Sequence, residues 1–149
     1  MRLWHYKLLP YLPKSQLLAQ WRELNSIFRK QDKHILINYV YEHPREDLLT
    51  YTILVLREME KRGISITSKS VDNYVWYFGK SLSELDHDSL SEPFADVMNL
   101  RYLTQCFYNL QEKYDRGQKD FGEKEYDALV RFMLSVYEKE GLLNETIYR

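Results

Sequence analysis

Among 149 residues the chain has one cysteine, Cys106. No internal disulfide can form, so a buried thiol in a reducing cytoplasm is the expected state. No apolar run reaches the ~18 residues that a membrane-spanning helix needs. The start, Met1-Arg2-Leu3-Trp4-His5, lacks the charged-then-apolar order of a secretory signal. Glycine and proline are scarce, at 5 and 4 residues, and no glycine-rich linker, repeat or low-complexity tract divides the chain. A metal is not expected, because His5, His34, His43 and His87 are scattered and no His-x-x-x-His or paired-cysteine spacing occurs. Phosphate-cradling glycine loops and the signature of a serine nucleophile are missing too.

Charge of one sign is also lacking overall, since the net is −1. Its distribution is uneven. Residues 1–80 hold 13 Lys and Arg against 8 Asp and Glu, and residues 81–149 hold 8 against 14. A basic half beside an acidic half can still line a positive groove, because the field at a surface is local. Random clustering along a near-neutral chain reads the same way.

What is present is a core. Hydrophobic residues make up 44% of the chain, which suits one folded domain spanning 1–149. Pro10 and Pro13 exclude a regular α-helix across residues 1–13, giving an extended N-terminal arm whose Trp4, Leu8 and Leu9 should pack. A first helix runs from Lys14 or Ser15 to Arg29 or Lys30. Ile35 to Tyr41 reads as a short helix or a buried extended segment, with no strand partner in view. Pro44 starts a second helix that Gly63 caps. Ser65 to Lys80 is dense in aromatics, and Ser81 to Ser91 is a polar loop containing Asp86, His87 and Asp88. Ser91-Glu92-Pro93 marks another helix start, with an apolar period running to Gly117, and a last helix covers about Glu123 to Glu140. The expected fold is all-α, a compact single-domain bundle of four to five helices.

The first helix is the informative one. At about 100° per residue, Leu17, Leu18, Trp21, Leu24 and Phe28 gather on one face, while Ser15, Ala19, Arg22, Glu23 and Ser26 fall on the other. Read by itself, Arg22-Glu23 is an ordinary solvated helix surface. The segment Trp21-Arg22-Glu23-Leu24, with Phe28 one turn on and Lys33-His34 beyond, resembles the first helix of the pyrimidine-dimer DNA glycosylase family, the endonuclease V type known from phage. The likeness is strongest over about the first 65 residues. Lys61-Arg62-Gly63 agrees with the family's second-helix end. The aromatic run Trp76-Tyr77-Phe78-Gly79-Lys80 echoes a C-terminal cluster of the family at a different place in the chain.

The resemblance implies a DNA repair enzyme that excises pyrimidine dimers or another damaged base, with or without abasic-site lyase activity, and needs no cofactor. Its partner would be damaged double-stranded DNA. Glu23 would be the catalytic acid/base and the α-amine of Met1 the nucleophile. An α-amine, with pKa near 8, is far more often neutral at pH 7 than a lysine. Arg2, Arg22, Lys33 and His34 would contact the DNA. Arg2 is too large for the usual removal of the initiator methionine, which leaves the amine one residue further out than in the phage enzyme. Ser26 stands where that enzyme has a basic residue. The residues alone also allow a non-catalytic α-helical module that binds protein or nucleic acid on the same scaffold.

Overall fold

Proline, threonine, asparagine or glycine stands just ahead of each α-helix, and left-handed residues set where several of them end. A computed structural model describes residues 1–82 and 91–141. α1 (Lys14–Lys30) follows Pro13, and Gln31 closes it at φ 51° with its N–H on the Ile27 carbonyl. α2 (Arg45–Lys61) follows Pro44 and carries Glu46 and Asp47 in its first turn, where the helix dipole favours them. α3 (Ser68–Phe78) is capped by the Thr67 side chain and stopped by Gly79 at φ 68°. α4 (Leu100–Asp115) is capped by Asn99, and α5 (Glu123–Lys139) follows Gly122. Two short 3₁₀ helices, Tyr6–Tyr11 and Asn38–Glu42, complete the helical elements among the described residues, which contain no strand. The all-α expectation therefore holds.

Differences from the sequence reading have local causes. The arm is extended only to His5 and then winds into 3₁₀ through Pro10. Such a turn needs bonds to the third residue back, as in Leu8 N–H to His5 at 2.9 Å, and proline removes just one of them. The aromatic stretch, left unassigned from sequence, is α3. In the Ile35–Tyr41 segment Ile37 and Val40 are buried, but Ile35 and Leu36 are exposed. The helix placed at Ser91-Pro93 starts later, at Leu100, because Phe94 is buried at φ 53°, a left-handed conformation that interrupts a helix. Most of the polar loop, with Asp86, His87 and Asp88, lies outside the described residues.

α1 lies against α3 and α2, and the N-terminal 3₁₀ turn lies against α2, α4 and α5. The arm is core rather than trim. Leu3, Trp4, Leu8, Leu9 and Leu12 are all at most 5% exposed, and burying each such side chain is worth about 1.5–3 kcal/mol. Arg62, at the end of α2, ties the turn to the bundle. Its guanidinium donates to the carbonyls of Leu12 (2.7 Å), Pro10 (3.1 Å) and Leu9 (3.2 Å) while Glu58 holds its Nε at 2.7 Å. This clamp holds the chain just ahead of α1 against the end of α2.

Candidate active site cleft

The first five residues are held by their main chain. Trp4 N–H donates to Gln20 Oε1 at 2.8 Å, and Gln20 Nε2 donates to the Arg2 carbonyl at 3.0 Å. The Tyr51 hydroxyl lies 2.7 Å from the Trp4 carbonyl and 2.8 Å from Gln20 Oε1, and its single hydrogen serves one at a time. Full burial pushes that phenol well above its ordinary pKa, so it stays a donor. The Tyr102 hydroxyl donates to the Leu3 carbonyl. His5 Nε2 bonds the Met98 carbonyl at 2.9 Å, and its Nδ1 accepts from Lys7 N–H. This leaves His5 neutral, and burial pushes its pKa down to about 4.

Glu23 is half-buried rather than on an open face. Gln20 Nε2 sits 3.1 Å from Glu23 Oε2, and the backbone N–H of Arg2 hydrogen-bonds the same carboxylate. Desolvation raises the carboxyl above its usual value. The α-amine of Met1, the Arg2 N–H, and the Arg22 and Arg2 guanidiniums pull the other way without cancelling it. The amine is thus within electrostatic reach of the carboxylate, although among the described residues no ion pair within 4.0 Å joins the two.

Met1 and Glu23 both line one cleft of about 590 Å³. Its near wall is Met1, Arg2, Trp4 and the Gln16–Ala19–Glu23 side of α1. The far wall is the end of α4 and the loop after it, with Asn109, Lys113, Arg116 and Lys119. Arg116 is paired with Glu112 at 2.6 Å, and Arg2 lies 6.0 Å from the centre of the Trp4 ring. The positive lining expected from the basic N-terminal half thus draws Lys113, Arg116 and Lys119 from the acidic half.

Of the residues singled out from sequence, Met1, Arg2 and Glu23 come together here. Arg22 does not. It is exposed and lines a separate groove of about 510 Å³ between α1 and α3, with Arg29 and Lys69. Lys33 and His34 are exposed on the loop after α1 and do not line the cleft, though Leu36 of the same loop does. In the aromatic run, Tyr77 packs on Phe28 with ring centres 5.3 Å apart, while Trp76 is 70% exposed and outside the cleft.

Gln20 was missed, and a signal for it existed. On the α1 wheel it lies about 60° from Leu17, inside the apolar stripe, and a polar residue there must find partners. It is 0% exposed, and both ends of its amide are engaged. Tyr51, Tyr102 and the far-wall cations had no such signal, because only the fold brings them beside residue 1. Among the described residues no group of three or more His, Cys, Asp or Glu could hold a metal, and no helix is long and apolar enough to cross a membrane.

Met1 and a half-buried, desolvated carboxylate thus share one cation-lined cleft on a helical bundle. The family model for pyrimidine dimer DNA glycosylase matches residues 1–72, and this is the family the chain resembles. That span holds the arm, α1, α2 and the first part of α3, and with them the near wall of the cleft. The match supports a pyrimidine dimer glycosylase kind of function and, with it, enzyme activity in general. No curated protein and no solved structure matches the chain.

Proposed function

We propose that this protein excises pyrimidine dimers, or a comparable damaged base, from duplex DNA and then cleaves the resulting abasic strand. The observation that carries the reading is the cleft that Met1 and Glu23 both line, with the Met1 amine acting electrostatically on the Glu23 carboxyl. The neutral amine adds to C1′ as the bond from C1′ to the base breaks, and the base leaves with the electron pair and takes up a proton. The nitrogen releases one proton to solvent. Glu23, whose desolvation favours its protonated form, gives its proton to the sugar O4′ as the C1′–O4′ bond opens, leaving a protonated imine. The carboxylate so formed removes a proton from C2′, and the 3′ phosphate departs by elimination. Arg2 on the near wall and Lys113 and Lys119 on the far wall bind phosphates flanking the damaged nucleotide. Arg22, Lys33 and His34 contact the backbone outside the cleft.

The test uses ultraviolet-irradiated duplex. The protein should nick it, and borohydride should trap a covalent adduct through the Met1 nitrogen. A form carrying one extra glycine ahead of Met1 should lose the adduct. Nicking with no adduct would replace the amine by water activated at Glu23. Intact damaged duplex after incubation with folded protein would end the reading and return the non-catalytic binding module.

A further inference from the structure

Ile35 is 86% exposed, more than any other large hydrophobic side chain among the described residues. Its neighbour Leu36 is 43% exposed and lines the cleft that holds Met1 and Glu23. Exposed apolar residues elsewhere, such as Trp76, Tyr108 and Leu134, do not line that cleft. The apolar tip therefore stands at the rim of the candidate site.

The tip is rigidly mounted. Ile37 N–H and Asn38 N–H both bond the His34 carbonyl, at 2.8 and 2.9 Å. Asn38 Oδ1 accepts from His34 N–H at 2.9 Å, and His34 Nδ1 accepts from Leu36 N–H at 3.2 Å. Ile37 is 0% exposed and anchors the turn in the core. On the other side, the Tyr41 hydroxyl holds the Asp32 carbonyl. Arg29, Lys30 and Lys33, all exposed, stand just before the tip. An apolar point set among cations, beside a cleft, is complementary to a polyanion with an apolar interior. Duplex DNA has that character, with stacked bases behind a phosphate rail.

Enzymes that do chemistry on a base take a nucleotide out of the stack, which leaves a hole to be filled. We infer that Ile35, supported by Leu36, is an apolar wedge that enters the base stack at the damaged step and holds the nucleotide open toward Glu23 and Met1. The inference rests on the glycosylase reading and adds how the substrate is opened. It also gives Lys33 a specific place, on the phosphate beside the inserted tip.

The experiment compares wild type with Ile35→Ser, a surface change that leaves the Ile37 anchor and its hydrogen bonds in place. Each is given one lesion in two settings, a fully paired duplex and a bulge where the lesion is already unstacked. A 2-aminopurine next to the lesion reports unstacking on binding. The variant should cut the paired substrate about tenfold to hundredfold more slowly and lose the fluorescence rise, yet cut the bulged substrate at the wild-type rate. Equal rates on the paired substrate, or an equal loss on both, would overturn the wedge while leaving the glycosylase reading standing. If wild type cuts neither substrate, the glycosylase reading fails and the wedge fails with it.

Discussion

The two walls of the cleft are built on different principles. The near wall is wired: Gln20, Tyr51 and Tyr102 hold the main chain of residues 2–4, and Gln20 also reaches Glu23. The far wall presents charge on longer, more solvated side chains, of which Arg116 is paired with Glu112 four residues back. Bond-making groups need placement to within a fraction of an ångström, whereas a cation attracting phosphate tolerates motion. On the proposed reading, chemistry falls to the near wall and affinity to the far one. It also follows the sequence match, which covers the near wall and stops before the far one.

The largest break should come from Glu23→Gln. Nicking should fall by about 10²-fold or more, measured as single-turnover rates on irradiated duplex. The same variant should melt higher than wild type at pH 8. Burial raises the folded-state pKa of this carboxyl, so its ionised form weakens the fold at pH above that value. The penalty is relieved as pH falls toward the unfolded carboxyl's ordinary range, and the gain in Tm should vanish near pH 4.

Gln20→Ala should rank next. It leaves the Trp4 N–H and the Arg2 carbonyl without their partner, costing about 1–3 kcal/mol per buried group left unsatisfied. A purely structural loss would lower Tm and the active fraction alike. A positioning loss should instead lower kcat in the folded fraction with KM nearly unchanged, and should cut the yield of borohydride-trapped adduct. A variant that matches wild type in kcat once corrected for folded fraction would reduce Gln20 to scaffolding.

Acid should loosen the near wall first. Folded His5 resists protonation down to about pH 4 because it is buried, while the unfolded residue takes a proton near pH 6.5. Stability is therefore unaffected by this group above about 6.5 and declines as pH falls from there toward 4. His5→Gln should flatten that part of the Tm-against-pH curve, and an unchanged slope would assign the acid sensitivity to other groups.

The smallest effects belong to the far wall. Removing Lys113 or Lys119 should weaken binding to damaged and undamaged duplex alike and reduce the salt slope of log K by about 1 each. The single-turnover rate at saturating protein should hardly change. A large loss of that rate would erase the division between walls.

Much of this was legible in the chain because it is local. The apolar period of α1, the proline at each of two helix starts and Gly63 after α2 are short-range signals, and short-range physics obeyed them. Glu23 was singled out through its surrounding motif, although helix geometry alone put it on the outer face. Its half-burial comes from the arm folding back over α1, a contact of high sequence separation. The far wall was illegible for the same reason: nothing in the spacing of Lys113 and Lys119 tells of residue 1 across a cleft. The delayed start of α4 was hidden by the left-handed backbone at Phe94, which no residue preference announces.

The pinning of residues 2–4 through peptide groups has a practical corollary. Because carbonyls and N–H groups do most of the holding, the arm's register can survive exchange of several of its side chains, and an alignment would then understate how constrained it is. Anything joined ahead of Met1, whether a purification handle or an acetyl cap, would crowd the cleft that Met1 lines. Labels for study belong on surface positions away from that cleft.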